Sequence, residues 1–328
     1  MGCSRESERL GMLVAVVVVL LQLNLVVNGQ SSSQPKHCNF TQTPRCLKNV
    51  TGLGHVVLVH GIGQGEWYWY KVKPILEAGG YNVTTIQLGP SVTSPVNSIK
   101  NVTFWNYSQP LFDLMDCINH SVFIVSHSAG GFNMAVAMEK YPKKIRAAVF
   151  VAAYMPDTAH NMSYVLDEQP KYPPDSDPHW EDTCTVTSGN NKWYFFGGDF
   201  LSDRLYERAT TEDIALLYTQ RRPASFFENE LAKIQLSNDS YGSLDRYYIL
   251  TGSDLALLIQ FQRHMVSEFP VKDQMFIKRA GHEVMLSKPI LLCGHLFDIF
   301  RRYGNLSDEK HQLGTVWPVK ISAKPDSI

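Results

Sequence analysis

"FIVSHSAGG", residues 123–131, reads as a buried β-strand running into a turn of small residues with a serine at its centre. A nucleophile elbow has this layout: a strand, a sharp turn that holds the serine in a strained conformation, and a helix whose N-terminus points at the reacting atoms. "GGFNMAVAMEKYP" continues from the turn with apolar residues at helical spacing, so residues 121–140 supply all three parts. One position departs from the pattern. G-x-S-x-G would put glycine where Ser126 stands, while Gly130 is present. Ser126 adds only a hydroxymethyl group, so the turn is expected to survive with some crowding. Ser128 is the candidate nucleophile.

Outward from the elbow, "HVVLVH" (55–60), "YNVTTIQL" (81–88) and "AAVFVAA" (147–153) are continuous β-branched runs suited to strands buried on both faces. Helical patterns lie between them in "WYWYKVKPILEAGG" and "FWNYSQPLFDLMDCI". This alternation predicts an α/β fold with a mostly parallel central sheet and helices on both faces. From 156 to 240 the rhythm breaks into prolines, aromatic clusters and short helical stretches, read as an inserted cap. Strands resume with "DRYYILTG" and "DQMFIKRA", and "KPILLCGHLFDIFRRYG" makes a last helix. The expected organisation is a signal peptide at 1–29, an extension at 30–53, core at 54–155, cap at 156–240, core at 241–304 and a tail at 305–328.

A serine hydroxyl needs a base, and the base an orienting acid, in the chain order Ser, Asp or Glu, His. Asp254 follows the strand "YYILTG" and His282 follows "QMFIK", both at strand ends where the sheet's crevice lies. Asp157, also just past a strand end, is the rival acid; Asp254 is preferred because it immediately precedes the histidine's strand. The oxyanion needs two backbone N–H donors, assigned to Ala129, after the nucleophile, and Ile62, in "HGIGQGEW". His60 and Trp67 are expected to brace that loop. The same loop fails as a dinucleotide fingerprint because Glu66 stands where the third glycine belongs, and no C-x-x-C occurs. No cofactor and no metal are expected.

The formal net charge is -1 and Lys and Arg are dispersed, which gives no footprint for nucleic acid. Arg5 and Arg9 precede the apolar run "LGMLVAVVVVLLQLNLVV" (10–27), and small residues follow: a signal-peptide layout with cleavage after Gly29. Retained, the run is long enough to anchor the chain in an endomembrane. Nine N-x-S/T sequons begin at Asn39, Asn49, Asn82, Asn101, Asn106, Asn119, Asn161, Asn238 and Asn305. Chance would give roughly two or three, so the chain is expected to enter the secretory pathway and be secreted. Asn119, just before a buried strand, is expected to be sterically closed. Cys38 and Cys46 could close a small loop in an oxidising compartment, while Cys117 and Cys293 read as free core thiols.

"LVHGIGQGEWYWYKVKPILEAGGYNVT", "NYSQPLFDLM", "SHSAGGFNMAVAMEKYPKKIRAAVFVAAYMPD", "FFGGDFL", "RRPASFF" and "GHEVMLSKP" together resemble the plant methylesterases and hydroxynitrile lyases of the α/β-hydrolase fold. The resemblance runs from about residue 55 to 303. It implies a triad of Ser128, Asp254 and His282, an oxyanion hole from Ile62 and Ala129, and a helical cap over the pocket. Lyases of this group carry threonine after the first-loop histidine and lysine after the catalytic histidine. Gly61 and Glu283 occupy those positions here, and a carboxylate is electrostatically wrong where cyanide must leave. The expectation is a serine carboxylesterase acting on a small-molecule methyl ester, with homodimerisation left open. A cyanohydrin lyase and a slow hydrolase-scaffold receptor are the alternatives. The cap aromatics Trp193, Tyr194, Phe195, Phe196, Phe226 and Phe227 point either to a planar or apolar acyl group or to the cap's own core.

Overall fold

The computed structural model describes residues 52–89, 99, 101–171 and 182–304. Six strands form one parallel sheet: β1 (Gly54–Val59), β2 (Tyr81–Ile86), β3 (Val122–Ser128), β4 (Ile145–Ala153), β7 (Arg246–Thr251) and β8 (Asp273–Ile277), in the spatial order β2-β1-β3-β4-β7-β8. β3 and β4 sit at its centre with β1 next to β3, and all three are buried almost throughout, which is why their sequences are apolar without alternation. The alternation reappears in where side chains point. Val57, Val59 and Ile124 pack on one face with helices Phe104–Cys117, Gly130–Lys140 and Ile259–Glu268; Val56, Leu58 and Phe123 pack on the other with Val72–Ala78 and Pro289–Arg301.

Two local features set the elbow. Gly130 and Gly131 are required by close approach, because a Cβ on either would meet the carbonyl oxygen of His60 at 2.3 Å or of Tyr154 at 1.9 Å. Helix Gly130–Lys140 can therefore lie directly against the ends of β1 and β4. The helix Phe104–Cys117 starts where Thr103 caps it, its side chain accepting from Asn106 N–H at 3.0 Å.

The structure corrects three expectations. The cap is not purely helical: it carries an antiparallel hairpin, β5 (Cys184–Ser188) with β6 (Asn191–Phe195), alongside the helix Thr211–Gln220. The alternating stretch "TVTSGNNKWY", turning at Gly189 with φ 60°, carries that hairpin signal. Cys117, read as a free buried thiol, is half-buried and disulfide-bonded. Its helix ends there, so the side chain faces out of the packed stripe. Asn119, expected to be closed, is exposed because it lies in the turn before β3 and not in it. Cys293 is the buried thiol foreseen, its pKa pushed up to about 12 by burial. Asn39, Asn49, Asn305, Cys38, Cys46 and the N-terminal apolar run lie outside the described residues. No helix among the described residues is long and apolar enough to cross a membrane.

Candidate active site

Ser128 is the last residue of β3 and has φ 52°, a left-handed conformation uncommon for a residue with a side chain. The β3–β4 register shifts between His127 and Ser128, which lifts the serine off the strand's line. The strain is held by the surrounding fold and presents Oγ at the carboxyl edge of the sheet. Behind it, Ser126 is fully buried between β1 and β4, and its hydroxyl has no hydrogen-bond partner.

Asp254 and His282 come from the loops after β7 and β8 and converge on this serine. Asp254 Oδ1 accepts from the N–H groups of Ala256 and Leu257 at 2.9 and 2.7 Å. Its Oδ2 accepts from Thr251 Oγ1 at 2.9 Å, Gln262 Nε2 at 3.2 Å and His282 Nδ1 at 2.9 Å. A carboxylate can only accept, so Nδ1 of His282 carries the proton and Nε2 is left bare. Ser128 Oγ–H donates to that Nε2 at 3.0 Å. Asp157, the rival acid, pairs with His160 at 2.8 Å instead and does not meet His282.

The loop expected to supply an oxyanion donor follows β1. His60 is fully buried; its Nδ1–H donates to Gly61 O at 2.6 Å and its Nε2 accepts from Leu88 N–H at 3.0 Å. Burial lowers its pKa to about 4, so it is a neutral brace, as the sequence led one to expect. Trp67 packs edge-on against Tyr68 beneath the same loop. Ala129 caps the helix Gly130–Lys140, which places its N–H at a helix N-terminus. Ile62 lines the same cavity as Ser128.

That cavity has a volume of about 590 Å³. Ser128 and His282 form its floor, and Tyr194, Phe196 and Phe226 from the cap its walls. The cap aromatics thus divide. Trp193 and Phe227 are buried against each other and the core at 5.5 Å, whereas Tyr194, Phe196 and Phe226 face the pocket.

Several site residues carried no sequence signal. His127 is fully buried, and its Nε2–H donates to His282 O at 3.1 Å. Burial and the neighbouring His282 hold its pKa well below the usual value, so it supports the base's loop as a neutral ring. Glu207, from the cap, lies against Gly281 with neither carboxyl oxygen hydrogen-bonded and Oε1 3.9 Å from Arg208 Nε; burial first and Asp254 second raise its pKa to about 7. Gln262, on the helix Ile259–Glu268, donates to Asp254 and accepts from Thr251 N–H at 3.0 Å. Among the described residues no cluster of His, Cys, Asp or Glu could hold a metal ion.

A parallel sheet with a strained serine on its central strand, an acid and a histidine on later loops and a cap between them define the α/β-hydrolase class, and the model of that fold matches residues 54–289. The chain is 40% identical to salicylic acid-binding protein 2 of Nicotiana tabacum over 256 residues, covering 76% of this chain and 98% of that one. It is 39% identical to methylesterase 3 of Arabidopsis thaliana, covering 76% and 97%. The crystal structure of polyneuridine aldehyde esterase superposes with a TM-score of 0.70 at 35% identity, covering 75% of this chain and 99% of that one. The chain belongs to the plant methylesterase family of the α/β hydrolases, a family of carboxylic ester hydrolases.

Proposed function

We propose that the protein hydrolyses methyl esters of ring-bearing carboxylic acids through an acyl-enzyme on Ser128. The observation that carries this reading is the 3.0 Å contact between Ser128 Oγ and His282 Nε2 at the floor of the cavity. Ser128 Oγ attacks the ester carbonyl carbon while His282 Nε2 takes its proton, and the carbonyl oxygen becomes an oxyanion held by the N–H groups of Ile62 and Ala129. Collapse expels methoxide, which leaves as methanol with the proton from His282. Water then attacks the acyl carbon, His282 takes the water's proton, and its return to Ser128 releases the free acid. Asp254 keeps the imidazole in the required tautomer throughout.

The cavity is of the size that encloses drug-sized ligands, and its lining sets aromatic rings beside polar and charged side chains, among them Lys192, Arg204 and Glu228. Acyl groups larger than a single ring therefore fit. A screen of methyl esters of aromatic, jasmonate-like, indole and polycyclic acids, read as methanol release, tests this. Turnover of at least one ring-bearing ester supports the reading; release of cyanide from mandelonitrile without ester turnover would replace it with the lyase. Gly61 argues against that alternative, since a side chain there would meet Ser128 Cβ at 2.9 Å.

We further infer a secreted glycoprotein. Asn101, Asn106, Asn119, Asn161 and Asn238 are exposed, and the Cys117 disulfide suits an oxidising compartment. Asn82 fits less well: it is half-buried, with its amide on Gly54 O at 3.4 Å. Endoglycosidase treatment of the protein from its native tissue should lower its apparent mass, and an unchanged mass would remove this reading.

A further inference from the structure

Beside the triad lies a hydrogen-bonded pair that the hydrolytic cycle leaves unused. Gln64 stands two residues past Ile62, in the oxyanion loop, and Glu283 directly follows His282. Gln64 Nε2 donates to Glu283 Oε1 at 2.8 Å and lies 3.3 Å from Tyr206 OH. Both residues are buried, at 6% and 2% exposure. The bond thus bridges the loop that offers one oxyanion donor and the loop that carries the base.

We propose that Gln64 and Glu283 are positioning residues whose hydrogen bond fixes the Ile62 N–H relative to His282 Nε2. The inference rests on the hydrolytic reading above, because it concerns the spacing of two groups that act together only in that cycle. Three observations favour it over simple space-filling. Two apolar side chains would fill the same volume without desolvating an amide and a carboxyl, so what the polar pair adds is direction. Gln64 also reaches the reacting centre: it lines the substrate cavity, and its Oε1 and Ser128 Cβ both lie about the Gly61 backbone, 3.1 and 2.9 Å from where a Cβ on Gly61 would sit. The second carboxyl oxygen, Oε2, has no hydrogen-bond partner and sits 3.9 Å from His127 Nε2.

Among the described residues no cation pairs with the Glu283 carboxyl. The groups around it are the amide of Gln64, the phenol of Tyr206, the ring of His127 with Tyr68 packed against it at 5.3 Å, and the adjoining His282. Burial raises the Glu283 pKa well above the carboxylate range, against a small opposing effect of Gln64, while His127 is held neutral. Glu283 therefore acts as an uncharged hydrogen-bonding group, without the negative charge the sequence led one to expect beside a departing cyanide, and a glutamine can replace it in that role.

The test is a mutant cycle on the full chain with the best ester from the screen, with fluorophosphonate labelling of Ser128 as a second readout. A lost oxyanion donor costs about a hundred- to a thousandfold, so a displaced one should cost about tenfold. Glu283→Met and Gln64→Met are each expected to lower kcat about tenfold with KM within about twofold, and to slow labelling in parallel. The double variant should be no worse than either single one, as for two partners in one bond. Glu283→Gln should restore kcat to within about threefold of wild type. Full activity in Glu283→Met, multiplying losses in the double variant, or a Glu283→Gln no better than Glu283→Met would each overturn the proposal. If Glu283→Met fails to fold, Gln64→Met and Gln64→Ala break the same bond from the other loop, and unchanged kcat in both overturns the proposal equally. A wild type that takes no label and turns over no ester would instead bring down the hydrolytic reading.

Discussion

Asp254, behind His282 at the floor of the pocket, accepts five hydrogen bonds from four elements of the surrounding chain. Tyr194, Phe196 and Phe226, in the walls of the same pocket, meet other rings instead: Tyr194 packs on Phe226 at 5.9 Å and on Phe196 at 6.3 Å, Phe226 on Tyr154 at 5.8 Å and Phe196 on Phe200 at 5.1 Å. The floor is over-determined: strain at Ser128 is fixed by a parallel sheet, and each polar atom of the triad has a defined partner. The rings in the walls are apolar surfaces with latitude in shape. The difference assigns reaction chemistry to the floor and choice of substrate to the cap, and each assignment can be broken separately.

The floor should give the largest effect. Asp254→Asn is expected to lower kcat by about four orders of magnitude, because the imidazole then loses its required tautomer. Asp157→Asn should stay within a few-fold of wild type, since that carboxylate serves His160. A large loss at Asp157 alone would reverse the assignment. In the walls, Tyr194→Ala and Phe226→Ala should raise KM about tenfold while changing kcat less, because truncating a contact ring removes binding shared by substrate and transition state. A loss confined to kcat would mean the cap takes part in the chemistry.

Between floor and walls stands Glu207. Its folded pKa of about 7, raised by burial and by Asp254, exceeds the ordinary value for an unfolded glutamate. Between those two values the folded chain keeps a proton that the unfolded chain has released, so this group's contribution to stability falls as pH rises through that window and is flat above it. Glu207→Gln should therefore raise the melting temperature at pH 8 by about 2 °C or more and leave it unchanged at pH 4. Thermal unfolding at the two pH values decides it; an equal shift at both would assign the effect to packing. The smallest change is expected at Ser126. Its unpaired buried hydroxyl should make Ser126→Ala more stable by about 1 kcal/mol, measured by denaturant unfolding, with activity retained.

The same contrast governs what the sequence made legible. Ser128, Asp254 and His282 could be placed because a parallel α/β sheet puts functional groups at strand ends in a fixed chain order, and each stood directly after an apolar strand. Asp254 could be ranked above Asp157 by adjacency to the histidine's strand, and it is Asp254 that the fold brings against His282. Gln64, His127 and Glu207 were not legible as site residues, because their roles arise from contacts across 219, 155 and 74 residues or so of chain that no local pattern encodes. The cap was read as helical because prolines and clustered aromatics masked the alternation of β5 and β6. Cys117 was misread for a related reason: helical spacing places a residue on a face, but does not say that the helix ends there.

The central claim is that Ser128 is the nucleophile of an ester hydrolase whose floor is preassembled. Fluorophosphonate treatment followed by peptide mass mapping tests it most directly. A single covalent adduct is expected on the peptide carrying Ser128 in the wild type and none in Ser128→Ala. An unlabelled wild type, or an adduct on another serine that persists in Ser128→Ala, would contradict it.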